Sequence, residues 1–384
     1  MPLIDLPVVK FPPEYKRFRD EVRSFLEKER EKGTFTPAID SWLGGYHPEF
    51  SQKLGKMGWI GMTWPKAYGG AELTALERYI VIEELLAAGA PVACHWFADR
   101  QTGPLLLRYG TEQQKQYFLP KIASGTCYFA IGLSEPNSGS DLASLSTRAE
   151  RTEGGWLLNG TKIWTSGAHY SHYMIVLCRT SPKDEKNRHA GMSQLIVDLQ
   201  SPGVTIRPIT YLTGEHHFNE VIFENVLVPE KHLVGEEGKG WKQSMAELAY
   251  ERSGPERILS TFLLLQELIE VLKKNNDEQG LREAMKLVAR LQTLRQMSIG
   301  VAQYLDEGKD VNLVAAIVKD MGTEFEKCIV KTARLLVRLK PTLQTADLLN
   351  QYFAQAVLHA PGFTLRGGTT EILRGIVAKG MMTG

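Results

Sequence analysis

Several absences narrow this sequence before any motif is read. It has only four cysteines, Cys94, Cys127, Cys178 and Cys328, and none stands at a CxxC or metal-type spacing. That excludes a disulfide-stapled secreted scaffold and a structural zinc site, and it predicts reduced, mostly buried thiols. Its nine histidines form no HxxxH or HExxH pattern, so no resident metal is expected. Lys and Arg number 45 against 44 Asp and Glu, a net charge of +1. Without an excess of one sign, neither a nucleic-acid footprint nor a polybasic membrane patch is expected. No apolar run is long enough to span a bilayer. The opening "MPLIDLPVVKFPPEYKRF" lacks the basic start and apolar core of a signal peptide, so the expected location is cytoplasmic.

What is present divides by texture into three regions. Residues 1–125 read as helical: "EYKRFRDEVRSFLEKEREKG" repeats apolar positions at Tyr15, Phe18, Val22 and Phe25, and Thr74 with Glu77 has capping-box spacing ahead of another helix. Residues 126–235 carry short β-rich runs split by Gly, Pro, Asn and Asp, the pattern of a small barrel or sandwich. Within them "GWLLNGTKIWTSG" reads as two runs around an Asn-Gly hairpin turn. Residues 236–384 are helical again, with expected helices at 239–274, 279–307, 311–338, 341–359 and one from 369, the outline of a bundle. The expected fold is therefore a multidomain α+β chain with an N-terminal helical domain, a central β-barrel and a C-terminal four-helix bundle.

Two segments have the chemistry of a site. "LSEPNSGSD" (133–141) follows a strand with small and turn-forming residues that can offer N–H groups and hydroxyls to a phosphate or a polar ring edge; taken alone it reads equally as a surface turn. "KIWTSGA" (162–168) places Trp164 beside Thr165 and Ser166, where it can stack on a flat ring or sit in the core.

Taken together, "GLSEPNSGSDLASLSTRA" and "LNGTKIWTSGA" resemble the acyl-CoA dehydrogenase flavoprotein family. So do "WPKAYGG" and "YGTEQQKQYFLPKIASG" upstream and "VIFENVLVPEKHLVGEEGKGW" downstream, in matching order along essentially the whole chain. The resemblance implies FAD as cofactor, with Ser134 at the flavin pyrimidine edge, Ser140 near the pyrophosphate, Trp164 flanking the dimethylbenzene ring and Ser166 beside N5. Many relatives have Thr where Ser166 stands. It also implies that Thr369 contacts the FAD of a neighbouring subunit. Implied partners are an acyl-CoA thioester, an electron-transferring flavoprotein and further subunits, as a homo-oligomer (dimer or tetramer) or a heteromer.

The catalytic base is not where many relatives keep it. That position, ahead of the Gly-Thr of "LRGGTTEILR", is Gly367 here, and Glu371 lies too far along the following helix, where it suits the helix dipole. Other relatives place the base in a Glu-Arg pair on the first bundle helix, which this sequence supplies as Glu251-Arg252. An apolar stripe through Trp241, Met245 and Leu248 leads to that pair and continues to Ile258 and Phe262, so the pair interrupts a face expected to point inward. A surface reading, with Glu247, Glu251, Glu256 and Arg257 solvated, is the alternative. In the first reading Glu251 removes the α-proton, the Gly367 N–H polarises the thioester carbonyl, hydride passes to flavin N5, and Arg252 shapes the substrate pocket.

The chain departs from the family in lacking both the Arg-x-x-Phe-Gly and the Gln-x-x-Gly-Gly-x-Gly segments that serve FAD across a dimer interface. In this it resembles a bacterial branch acting on bulky, terpenoid or steroid side-chain thioesters, some members of which are heteromers. Two alternatives to the dehydrogenase reading remain: a flavin monooxygenase or oxidase of the same fold, and a FAD-binding partner subunit.

Overall fold

A computed structural model describes residues 6–339, 341–342 and 344–383, apart from the side chains of 246–251 and 383. The chain divides into two compact units. One comprises Met1–Gly45, Leu73–Pro91 and Ala249–Gly384; the other comprises Tyr46–Glu72 and Val92–Leu248.

The second unit is built on one eight-stranded sheet. Its strands are β1 (Phe129–Gly132), β2 (Arg148–Thr152), β3 (Gly155–Ser166), β4 (Tyr173–Arg179), β5 (Met192–Asp198), β6 (Val204–Thr210), β7 (His216–Pro229) and β8 (Leu233–Val234). They lie in the order β6-β7-β3-β2-β4-β5-β8, and β1 pairs with β4 in parallel. One face buries Trp156, Val176, Leu195 and Phe223 together. Burial alternates along the first half of β7 through His217, Asn219, Val221 and Phe223, as a half-buried strand requires.

The Asn-Gly hairpin expected at 159–160 does not form. β3 runs through that pair as one strand, and the turn falls earlier, where Thr152 pairs with Gly155 around Gly154 at φ +84°. Long-range packing overrides the local turn signal. Gly160 lies against Thr147, where a Cβ would come within 2.4 Å of the threonine hydroxyl. Asn159 spends its side-chain oxygen on the Asn225 N–H at 2.8 Å.

In the first unit, helices Phe262–Lys274, Glu278–Asp306, Asn312–Val337 and Leu348–Phe363 pack against one another, and Thr370–Thr383 packs on Asn312–Val337. The N-terminal helices Pro13–Glu31 and Ala75–Ala87 belong to the same unit. Ala75–Ala87 carries the expected capping box, with Thr74 Oγ1 accepting from the Glu77 N–H at 3.1 Å and Glu77 accepting from the Thr74 N–H at 2.8 Å.

The single helix expected over 239–274 is broken in two. Gly240–Glu251 ends, a short 3-10 turn spans Pro255–Arg257, and helix resumes at Phe262. Pro255 lacks an N–H and disfavours helical backbone before it, and Gly254 is extended at ψ 170°. A helical stripe therefore does not run through to Ile258. The charged residues of the break are not solvated either: Glu256 and Arg257 are both buried.

Helix Asn312–Val337 backs this break through one face. Gly322 lets the Arg257 backbone approach, and one turn further on Glu326 accepts from the Ser260 N–H at 2.7 Å. Glu326 belongs to a buried polar cluster with Asp40, His359 and Arg366. Arg366 forks onto Asp40 through two hydrogen bonds of 2.5 and 2.7 Å, and His359 Nδ1 lies 3.2 Å from the same carboxylate. Burial opposes ionisation of Asp40, but the Arg366 charge and the bonds from His359 and Arg366 hold its carboxyl well below the usual range. Burial has the opposite result at Glu326. It pushes that carboxyl up to about 7; Arg366 and the Ser260 hydrogen bonds oppose the rise, and the nearby Asp40 charge adds to it.

Two measurements follow. Gly322→Ala would put a Cβ 2.3 Å from the Arg257 carbonyl oxygen. It is expected to lower stability in chemical denaturation by roughly 1–3 kcal/mol despite alanine's better helix propensity; an unchanged midpoint would refute the close approach. For Glu326, an unfolded glutamate titrates near ~4.3. Between that value and about 7 the folded chain holds a proton that the unfolded chain releases, so stability falls as pH rises across the window. Glu326→Gln removes that slope. Denaturant titrations are expected to place the variant near wild type at pH 5 and above it at pH 8, whereas an equal deficit at both pH values contradicts a protonated Glu326.

Candidate functional site

The residues singled out in the sequence fall on both units, and each group has its own geometry. On the sheet unit, the 133–141 loop is staked to β3. The Ile163 N–H donates to the Ser134 carbonyl at 2.9 Å, and Lys162 Nζ donates to the Leu133 carbonyl at 3.0 Å and to Glu135 at 2.8 Å. Glu135 also accepts from the N–H groups of Ser146 and Thr147 at 2.7 and 2.9 Å. Burial works against a charged Glu135, but Lys162 and these donors bring its carboxyl down to about 2. Burial in turn lowers the Lys162 ammonium, and Glu135 resists that shift. A buried ion pair adds little net stability because of its desolvation cost, and what this one visibly does is geometric. Here it joins Ser134 to the strand that carries Trp164 and Ser166.

β3 ends in a bulge between Lys162 and Thr165. Within it Trp164 adopts a left-handed φ of +58° and is 56% exposed, with Phe218 edge-on at 6.0 Å. A large aromatic residue in that region of backbone space is uncommon and costs of order 1–3 kcal/mol. Asn219, fully buried, holds the bulge by donating to the Thr165 carbonyl at 3.0 Å. Thr165 Oγ1 is buried with no hydrogen-bond partner among the described residues. Ser134 and Ser166 are half-buried, and Ser140 is exposed. A displayed, strained tryptophan beside half-buried hydroxyls fits a flat polar-edged ring such as a flavin.

On the helical unit, the "GGT" segment is a tight turn with Gly367 at φ +68° and Gly368 at φ +97°. Its carbonyls are taken by cations: Arg252 Nε donates to Gly367 at 3.4 Å and Lys319 Nζ to Gly368 at 2.7 Å. The Gly367 N–H has no hydrogen-bond partner among the described residues. A side chain at 367 is disfavoured twice over, by the positive φ and by Arg257, whose Nη2 lies 2.8 Å from where a Cβ would stand and would have to shift. Thr369, half-buried, precedes the last helix and accepts from the Ile372 N–H at 3.4 Å. Arg366 is committed to Asp40 between the rings of Trp42 and Phe363, at 4.5 and 5.0 Å. Arg374 pairs with Asp320 near the surface. Glu251 ends helix Gly240–Glu251, and its side chain lies outside the described residues.

Sequence reasoning missed Glu135, Lys162, Lys319 and Asp40, and weighed Arg257 only as a surface residue. The first two stand inside the quoted motifs, so their opposite charges on adjoining segments were an available signal. The others have partners remote in sequence and left none.

Comparison with known proteins supplies the family. The N-terminal, middle and C-terminal domain models of acyl-CoA dehydrogenases match residues 12–126, 130–226 and 238–382. Acyl-CoA dehydrogenase FadE26 of Mycobacterium tuberculosis is 30% identical over 96% of both chains. A solved structure described as "Tcur3481-Tcur3483 steroid ACAD" superposes with a TM-score of 0.86 at 28% identity, covering 99% of each chain. The ChsE4-ChsE5 complex from M. tuberculosis does so with a TM-score of 0.84 at 27% identity, covering 98% of this chain and 99% of the other. Among the described residues, no helix is long and apolar enough to cross a membrane. The domain matches in register and the relatives alike along nearly their whole length establish that this chain belongs to the acyl-CoA dehydrogenase family of oxidoreductases.

Proposed function

We propose that the protein dehydrogenates an acyl-CoA thioester between its α- and β-carbons, with Glu251 as the base and the Gly367 N–H as a donor to the thioester carbonyl. The observation that carries this reading is the 366–369 turn. Its carbonyls at 367 and 368 are engaged by Arg252 and Lys319, and the Gly367 amide is left to donate. A thioester α-proton is weakly acidic, and removing it needs a carboxylate in contact together with donors aimed at the oxygen where enolate charge develops. Position 367 can supply such a donor but no carboxylate. Glu251, next to the Arg252 that reaches the same turn, is the nearest glutamate in sequence to that contact.

FAD, when bound, supplies the two-electron acceptor. Ser134, Ser140, Trp164 and Ser166 would hold it, and Thr369 would contact the FAD of a neighbouring subunit. The relative described as a steroid ACAD supports a bulky polycyclic or branched acyl group, and the paired names of that structure and of the ChsE4-ChsE5 complex support assembly with a second chain type. An electron-transferring flavoprotein is the proposed acceptor of the electrons.

The test is anaerobic bleaching of the flavin by a panel of thioesters with straight, branched and steroid side-chain acyl groups. Wild type is expected to bleach with at least one bulky member, and Glu251→Gln to lower that rate by at least ~10²-fold, at the low end of the 10²–10⁴-fold contribution of a general base. A Glu251→Gln variant that keeps more than a few per cent of the rate would remove Glu251 from the mechanism.

A further inference from the structure

We infer that Lys319 is a positioning residue for the thioester carbonyl: by holding the Gly368 carbonyl it anchors the far end of the glycine turn that carries the Gly367 N–H. The inference rests on the acyl-CoA reading above and assigns a role to a residue outside the motifs that led there.

Lys319 is fully buried on helix Asn312–Val337, with its Nζ 2.7 Å from the Gly368 oxygen. A buried ammonium is costly, and an apolar side chain of similar length commonly serves stability as well or better. Keeping the charge there calls for something an apolar chain cannot do, and one of the things it does is grip a carbonyl of a two-glycine turn. Two consecutive glycines at φ +68° and +97° have no side chains to restrict them. The 366–367 peptide that carries the Gly367 N–H and the 368–369 peptide that Lys319 grips are separated only by glycine dihedrals, so the course of the turn is opposed mainly by what holds its two ends. Arg252 takes the 367 carbonyl at the long distance of 3.4 Å, whereas Lys319 takes the 368 carbonyl at 2.7 Å and from a rigid helix.

The same helix face adds a second element of alignment. Lys319, Gly322 and Glu326 recur at three- and four-residue steps, so they share one face. Lys319 holds the turn, Gly322 admits the Arg257 backbone, and Glu326 holds the Ser260 N–H. One helix thus sets the glycine turn relative to the segment that follows Glu251-Arg252. The proposed proton abstraction needs those two pieces in register, and a misplacement of about 1 Å costs on the order of 10²-fold in rate.

The experiment uses the full-length flavin-loaded protein, with any partner chain it purifies with, and the thioester that bleaches wild type fastest. Steady-state kcat and KM are measured for wild type, Lys319→Met and Lys319→Gln. In parallel, isotope-edited infrared spectra follow the ¹³C-labelled thioester carbonyl of the bound enoyl-CoA product. In Lys319→Met, with flavin retained, kcat is expected to fall by about 10²-fold with KM within about threefold, and the downshift of the carbonyl stretch seen in wild type to shrink by half or more. Lys319→Gln, which keeps a donor, is expected to recover part of both. A wild-type carbonyl shift and kcat in Lys319→Met would overturn the assignment, as would loss of flavin and fold in both variants, which would make Lys319 a residue of general stability. If no thioester bleaches wild type, the acyl-CoA reading itself fails, a result visible before either variant is compared.

Discussion

The helical unit depends on a buried ion pair, the fork of Arg366 on Asp40. It closes a contact between residues 326 positions apart, and it places a fixed guanidinium immediately before two glycines that have no rigidity of their own. A bidentate pair specifies orientation as well as contact. Trp42 and Phe363 stack about the guanidinium, and Trp42 also faces Arg257 at 5.2 Å. With the preceding residue anchored, the glycine turn has a defined start, and Lys319 and Arg252 define its far side.

The sheet unit solves a related problem by different means. A loop rich in small residues has to present hydroxyls and amides without collapsing onto itself. The Glu135–Lys162 pair pins it to a strand whose end is already distorted by a bulge. Both units therefore combine a flexible, small-residue segment with a desolvated charge that removes its freedom. Such charges are expensive in isolation, and in both places they sit directly beneath residues proposed to touch substrate or cofactor.

Much of this organisation was legible in the sequence, for physical reasons that can be named. Helix periods and the Thr74–Glu77 cap are local patterns, and they read correctly because a helix satisfies its backbone within itself. The glycine turn ahead of the last helix was legible in "RGGTT" for the same reason. The Asn159-Gly160 pair misled because a turn preference is local while strand pairing is not: β7 on one side and Thr147 across from Gly160 decide the outcome. The helix expected over 239–274 failed at Pro255, around which the helix is interrupted for some ten residues. Asp40 and Lys319 were invisible because nothing around either residue announces a partner 326 or 49 positions away. Glu256 and Arg257 were open to a surface reading because charge usually means solvent, and only packing shows them buried.

The space beside Gly367 has a consequence for how such a chain can change over generations. Arg257 already fills the volume that a side chain at 367 would need, and the backbone there is left-handed. A single codon change to glutamate at that position would therefore meet both a clash and a strained main chain. A smaller residue at 257 would ease the clash, but the left-handed backbone at 367 would still disfavour the acid, so the two positions for it are not interchangeable by one substitution without strain.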